Sequence, residues 1–140
     1  MSNPQKTFFA SCLLVVSFAV PSNSAAVQDL VVDASETSLR KVASKVVMPA
    51  YPEESIKRGA KGVAVAQLIF DGEGNVSQVK VLEAPDTLIG EAVSKAVGQW
   101  KFHASKMKDG PPIRVRGKLT FYYVINEKGE GTVENPKQYR

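Results

Sequence analysis

Five polar side chains with interaction potential occupy every second position near the C-terminus. They are Arg114, Arg116, Lys118, Thr120 and Tyr122. They alternate with apolar residues from Ile113 to Ile125, which is the period of a β-strand with one buried face. Three cations on one face could contact an acidic peptide or a membrane surface. Alternating cations also protect an edge strand from aggregation, and we favour this second interpretation for the side chains themselves.

The residue types needed for catalysis or metal binding are scarce. The chain has one Cys, Cys12, and one His, His103. On these counts we expect no disulfide framework, no zinc site and no Cys/His catalytic pair. His103 follows a predicted helix end, where a positive charge is favourable. No carboxylate pair is specified, so we predict no catalytic residue, no metal, no cofactor and no enzyme activity.

The sequence from Asp71 to Asn75 superficially resembles a calcium loop. An EF-hand starting at Asp71 requires glycine at its sixth position and an acid at its twelfth, which are Val76 and Leu82 here. The Gly72-x-Gly74 pair is no nucleotide loop either, because a strand rather than a helix follows it. A hairpin turn is therefore the favoured interpretation.

Composition indicates an ordinary globular protein. Of 140 residues, 44% are hydrophobic and 23% are charged, and the net charge is +4. This charge is mild and dispersed, whereas nucleic-acid-binding proteins usually concentrate theirs in a stripe. We therefore expect no nucleic-acid partner.

Residues 1–26 have the features of an export signal. Lys6 precedes an apolar run from Phe8 to Val20, and small residues at Ser24 and Ala26 suit a signal-peptidase site. As a helix this run would reach only about 20 Å, short of the roughly 30 Å hydrocarbon core. We predict cleavage after about Ala26 and a periplasmic protein. Retention as an inner-membrane anchor is the alternative.

Periodicity and punctuation predict five elements in the order helix, strand, strand, helix, strand. Their ranges are 52–58, 63–70, 76–83, 87–101 and 113–125. Asp86 is a suitable N-cap for the second helix. Val76 is out of phase with Val79 and Val81, which a bulge near Ser77-Gln78 would reconcile. Residues 27–46 form a linker or a short helix, and residues 127–140 form a loose polar tail.

These elements predict a small α+β domain over residues 47–126. It has a three-stranded antiparallel sheet with two helices on one face, and the first strand lies between the other two. The predicted core is Leu68, Phe70, Val79, Val81, Leu88, Ala92, Ala96, Trp100, Leu119 and Phe121. The last strand is left at an edge with unpaired backbone groups. An extended peptide could add to that edge, with Tyr51 and Pro52 as a supporting lip.

The stretch from Pro49 to about Ile125 resembles the TonB C-terminal domain family. Seven features match in order, namely Pro49-x-Tyr51-Pro52, Gly62, Asp71-Gly72 with Gly74-x-Val76, Val79-x-Val81, Leu88 to Trp100-x-Phe102, Gly110-x-Pro112 and Leu119-x-Phe121. One departure is His103-Ala104, where many members have a proline.

The resemblance implies a periplasmic domain whose last strand pairs with a short segment, the TonB box, of an outer-membrane receptor. It also implies possible homodimers by strand exchange. We expect an exported binding module for such a receptor or another cell-envelope protein. The alternative is a divergent energy transducer held in the inner membrane. Residues 27–46 disfavour this alternative, because as flexible coil they would span only about 25 Å.

Overall fold

The computed structural model describes residues 30–104, 110 and 112–136. The predicted signal, residues 1–26, lies outside them. Within the described residues the elements follow in this order: β1 (Leu30–Asp33), α1 (Glu36–Val42), β2 (Ala43–Lys45), α2 (Glu53–Lys57), β3 (Gly62–Phe70), β4 (Val76–Glu83), α3 (Thr87–Gly98), β5 (Lys101–Phe102), β6 (Ile113–Ile125) and β7 (Gly131–Glu134). No helix in this described part is long and apolar enough to cross a bilayer.

The β3–β4 hairpin has the predicted turn and bulge. The Asp71 carboxylate accepts from the amides of Glu73 and Asn75, which fixes the five-residue loop. Ile69 is opposite Gln78 and Phe70 is opposite Val76, so Ser77 is the extra residue. Because of this extra residue, Val76 lies on the same face of β4 as Val79 and Val81, as the periodicity predicts.

The main sheet has five mixed strands, which corrects the expected three-stranded antiparallel sheet. β3 lies between β4 and β6, as predicted, and pairs antiparallel with both. β1 is added parallel to β6, and β7 is added antiparallel to it. The extra strands come from the predicted linker and tail, so residues 131–134 of the tail are not loose. Because each has four residues, neither produced a recognisable periodic pattern.

Helix α3 covers the hairpin and begins where the sequence predicts. The Asp86 carboxylate accepts from the Ile89 amide at 2.8 Å. The helix ends at Gly98 rather than at Lys101, because residues 101–102 form β5 and pair with β2. His103 therefore follows a strand, not a helix end, and its amide donates to the Val42 carbonyl oxygen at 2.7 Å.

The core lies between α3, α1 and the inner face of the sheet. Of the predicted core residues, those that are buried are Leu68, Phe70, Ala96, Trp100, Leu119 and Phe121. Val79, Val81, Leu88 and Ala92 are only half-buried, whereas Ile89, Val93 and Val97 are buried. The buried stripe of α3 is thus rotated from the predicted one. The indole of Trp100 donates to the Val47 carbonyl oxygen at 2.8 Å, which ties the chain before α2 to the core.

Candidate functional site

The outer edge of β6 is the candidate site, and strand geometry decides which residues face it. Leu119, Phe121 and Tyr123 are buried on the inner face. In an antiparallel pair, alternate residues direct their backbone groups toward the partner strand and away from it. Thr120 bonds away from β3, so the even-numbered residues direct their N–H and C=O groups to the outer edge.

All five polar residues predicted on β6 carry their side chains on the face of the sheet opposite the core. Their backbone N–H and C=O groups point to the outer edge. These residues are Arg114, Arg116, Lys118, Thr120 and Tyr122, and all are exposed except Thr120, which is half-buried. The prediction of a free edge is nevertheless wrong. Three segments of the chain's own sequence cover this edge, one after another.

The first cover is β1, which pairs with residues 113–116 of β6. Val31 is opposite Arg114 and Asp33 is opposite Arg116. The pairing extends one residue further, because the Ala34 amide donates to the Arg116 carbonyl oxygen at 2.8 Å. All four residues of β1 remain exposed. The strand is therefore held mainly by backbone hydrogen bonds, with little apolar burial.

A bidentate ion pair adds to this attachment. Arg116 donates from Nε and Nη2 to the two carboxylate oxygens of Asp33, at 2.6 and 2.9 Å. The hydrogen bond from Arg116 lowers the pKa of Asp33, and the nearby charge of Lys118 acts in the same direction. The same hydrogen bond raises the pKa of Arg116. Because both side chains are solvated, the pair directs β1 into register more than it stabilises the protein.

The second cover is α1, which uses side chains instead of a strand. A Glu36 carboxylate oxygen accepts from the Thr120 amide at 2.9 Å, and Arg40 Nη2 donates to the Thr120 carbonyl oxygen at 3.0 Å. Glu36 and Arg40 also pair with each other at 2.6 Å. They therefore satisfy the outward donor and acceptor of Thr120, as a paired strand would.

Arg40 is anchored from several sides. Its side chain is only 9% exposed, and its guanidinium carbon lies 5.9 Å from the ring centroid of Trp100 and 5.8 Å from that of Phe121. Its Nη1 donates to the side-chain oxygen of Asn135, which follows β7. Arg40 thus joins α1, the core and the C-terminal segment.

The third cover is β7, which pairs with residues 122–125 of β6. Tyr122, the last predicted contact residue, is opposite Glu134. A Cβ on Gly131 would lie 2.6 Å from Ile56 Cδ1 and 2.7 Å from Tyr51 Cδ2. This close fit and the partly buried Val133 attach β7 more firmly than β1.

Tyr51 and Pro52 lie away from the cationic face. The Tyr51 ring packs edge-on against Tyr123 on the inner face, with 4.9 Å between centroids, and its hydroxyl donates to the Ala60 carbonyl oxygen. Burial raises the pKa of Tyr51, and the charge of Asp86 acts in the same direction. Pro52 is the N-cap of α2. Packing below β7 accounts for Tyr51 and the start of α2 accounts for Pro52, and neither joins the Arg114–Lys118 surface.

Sequence reasoning missed Asp33, Glu36 and Arg40, although weak signals for them exist. Leu30-Val31-Val32 is a short apolar run with two β-branched valines, and Ser35 caps α1 by accepting from the Ser38 amide. The i,i+4 spacing of Glu36 and Arg40 is a standard helix ion pair. Nothing local shows that this pair contacts Thr120, which is 84 residues from Glu36 and 80 from Arg40.

No group of three or more His, Cys, Asp or Glu side chains in the described part of the chain could hold a metal ion. Cys12 lies outside the described residues. The Ser55 hydroxyl is buried without a hydrogen-bond partner. Burial acts to raise the pKa of Asp86, but the hydrogen bond from the Ile89 amide and the charge of Arg58 outweigh it, so the pKa is lowered. Arg58 pairs with Asp86 at 3.3 Å, which joins the end of α2 to the start of α3.

Comparison with known proteins identifies the central part of the chain. No curated protein sequence matches it. Among solved structures, it is similar to the solution NMR structure of the Pseudomonas aeruginosa TonB CTD, with a TM-score of 0.50 and 21% sequence identity, over 61% of this chain and 86% of that chain. At this identity the likeness shows the fold alone. The family model of the Gram-negative bacterial TonB protein C-terminal matches residues 47–125, more than half of the sequence. The chain therefore belongs to the TonB C-terminal domain family.

Proposed function

We propose that this protein is an exported periplasmic module that pairs an extended segment of another envelope protein with the outer edge of β6. The partner would be a TonB-box-like segment of an outer-membrane receptor or of another cell-envelope protein. One observation carries the proposal. This edge already accepts two extended segments, one parallel and one antiparallel, so its backbone geometry suits strand addition in either direction.

The covers do not remove the site, because they differ in how firmly they are attached. β1 lies on the N-terminal part of β6 with every residue exposed, whereas α1 and β7 are packed into the core. The stretch from Arg114 to Lys118 is therefore the part that a partner segment reaches most easily. Thr120 and Tyr122 join the site only if α1 and β7 also leave.

The opposite border of the sheet is a poorer candidate. β4 ends the strand order, and no strand in the described part of the chain pairs with its outer side. Its pairing with β3 shifts register at two places, and it carries Lys80 in its middle. Bulges and charged residues are devices that keep a border from accepting another strand. An added peptide would find few evenly spaced backbone groups there.

Site-specific cross-linking in cells tests the proposal. A photo-reactive amino acid replaces Lys118, which is exposed on the outer face of β6. A matched variant carries it at Lys95, which is exposed on α3. We expect adducts with an envelope protein from position 118, mapped to one extended segment, and none from position 95. Adducts of the same proteins from both positions, or from neither, would contradict the proposal.

A second candidate is a divergent energy transducer held in the inner membrane by its N-terminal apolar segment. The run from Phe8 to Val20 is the observation that favours it. Mass spectrometry of the N-terminus of the protein isolated from cells separates the two candidates. The periplasmic module predicts a chain starting at about Val27. The anchored transducer predicts an N-terminal segment that is still intact.

A further inference from the structure

We infer that residues 30–34, named here the cover strand, form an autoinhibitory element that must leave β6 before a partner segment can pair there. The inference rests on the proposed function and adds its regulation. The cover strand occupies the outward backbone groups of Arg114 and Arg116, which are the groups that an incoming segment would use.

The cover strand lies outside the family domain. The family match begins at residue 47 and ends at residue 125, so the cover strand and α1 precede it. These preceding residues fold back over the edge of the last strand of the domain. A segment attached in this way can move without disturbing the domain, because few core contacts depend on it.

Its attachment is specific but weak. Leu30, Val31 and Val32 are 50%, 40% and 42% exposed, so pairing buries little apolar surface. The Asp33–Arg116 pair is solvated, with side chains 70% and 44% exposed, and such pairs contribute little. What remains is a short parallel ladder of backbone hydrogen bonds. Short strands that are exposed on both faces separate readily from their neighbour.

The helix that follows keeps the cover strand close to its site. Leu39 of α1 is fully buried, and Arg40 is held between Trp100 and Phe121. Only Ala34 and Ser35 separate β1 from α1, so Leu30 of a detached cover strand can move no further than about 20 Å from the start of α1. Such a tether raises the effective concentration of the competitor. The apparent affinity for a partner is proportional to the fraction of molecules that are open, so it falls as that fraction falls.

Two proline variants separate this mechanism from a passive role. The Ala34 amide points toward β6, and residues two apart in a strand point the same way, so the Val32 amide also faces β6 and the Val31 amide faces away. Val32→Pro therefore removes a hydrogen bond to β6 and releases the cover strand. Val31→Pro is the matched control, because it adds the same ring without removing a bond to β6.

The probe is a labelled synthetic peptide with the sequence of residues 28–35, Gln-Asp-Leu-Val-Val-Asp-Ala-Ser, added to the full mature chain. We expect Val32→Pro to bind it at least about tenfold more tightly than the wild type, since a cover closed in nine molecules out of ten lowers affinity tenfold. Val31→Pro should bind it as the wild type does. Asp33→Asn should shift affinity in the direction of Val32→Pro, but less.

The outcomes distinguish this inference from the proposed function. Amide exchange at Ala34 and the melting temperature first establish that Val32→Pro is folded and that its cover strand is released. A folded, open Val32→Pro variant that binds the peptide no more tightly than Val31→Pro would overturn autoinhibition, whereas partner adducts at position 118 would still support the proposed function. If the open variant binds no peptide and position 118 gives no adducts, both fail together.

Discussion

At the scale of single residues, the two ion pairs at this edge, Glu36–Arg40 and Asp33–Arg116, have different roles. Arg40 is nearly buried, and its partners are the Glu36 carboxylate, the Thr120 carbonyl oxygen and Asn135. Arg116 is solvated and pairs with Asp33. The Glu36–Arg40 pair supplies the hydrogen bonds that a neighbouring strand would otherwise make with the Thr120 backbone. Removing either member leaves a partly buried polar group unsatisfied. The Asp33–Arg116 pair sets the register of a strand that can leave.

Acidification tests the role of Asp33. Because the pKa of Asp33 is lowered when it pairs with Arg116 and Lys118 is near, the pair stabilises the cover strand above about pH 4, the ordinary carboxyl value. That contribution is lost as the pH falls through the lowered value. We expect amide exchange at Ala34, corrected for its intrinsic pH dependence, to accelerate below about pH 4 in the wild type. Asp33→Asn should exchange slightly faster than the wild type at neutral pH and lose this extra acceleration.

Glu91→Gln is the control for this experiment, because Glu91 is an exposed carboxylate on α3. It should behave as the wild type at every pH. If Asp33→Asn and Glu91→Gln give the same exchange rates at Ala34, the Asp33–Arg116 pair does not hold the cover strand.

At the scale of the elements, the seating of α1 depends on a missing side chain in β6. Gly117 is buried, and a Cβ there would overlap the Leu39 side chain and lie 3.0 Å from the Ala34 carbonyl oxygen. Glycine is thus required because the helix and its N-terminal turn approach the strand closely. Gly74 has a similar role under β5, with a φ of +90° and a Cβ position that would overlap the Phe102 carbonyl oxygen.

Gly117→Ala tests this seating. The added methyl group should push α1 from the sheet and lower the free energy of unfolding by about 1–3 kcal/mol, the usual cost of overpacking. Gly98→Ala is the control, because nothing lies within 4 Å of a Cβ at Gly98, and it should be neutral or slightly stabilising. Urea denaturation measures both. Equal stability of the two variants would show that α1 does not pack on β6 at Gly117.

The elements that sequence could predict are those with local signals. The bulge at Ser77, the Asp86 cap and the limits of β6 follow from periodicity and turn chemistry within a few residues. The covers could not be predicted in this way. Asp33 and Arg116 are 83 residues apart, and a four-residue strand carries too little pattern to identify its partner. The buried stripe of α3 was shifted because Leu88 and Ile89 are both apolar, and packing alone decides between them.

At the scale of the whole molecule, a family domain over residues 47–125 is flanked by segments that cover its last strand from both ends. The N-terminal cover is exposed along its length, and the C-terminal cover is packed against Tyr51 and Ile56. This asymmetry places the accessible part of the edge at Arg114 to Lys118. The proposed partner therefore competes with the chain's own N-terminal segment rather than with solvent.

Hydrogen exchange of the complex with the partner segment that position 118 identifies is the most direct test. The amides of Arg114, Arg116 and Lys118 point to the outer edge, whereas those of Val115 and Leu119 point to β3 and serve as internal controls. We predict that the partner slows exchange at the three outward amides and leaves the two inward amides unchanged. Slower exchange along β4, from Val76 to Glu83, with no change at the outward amides of β6, would contradict the account.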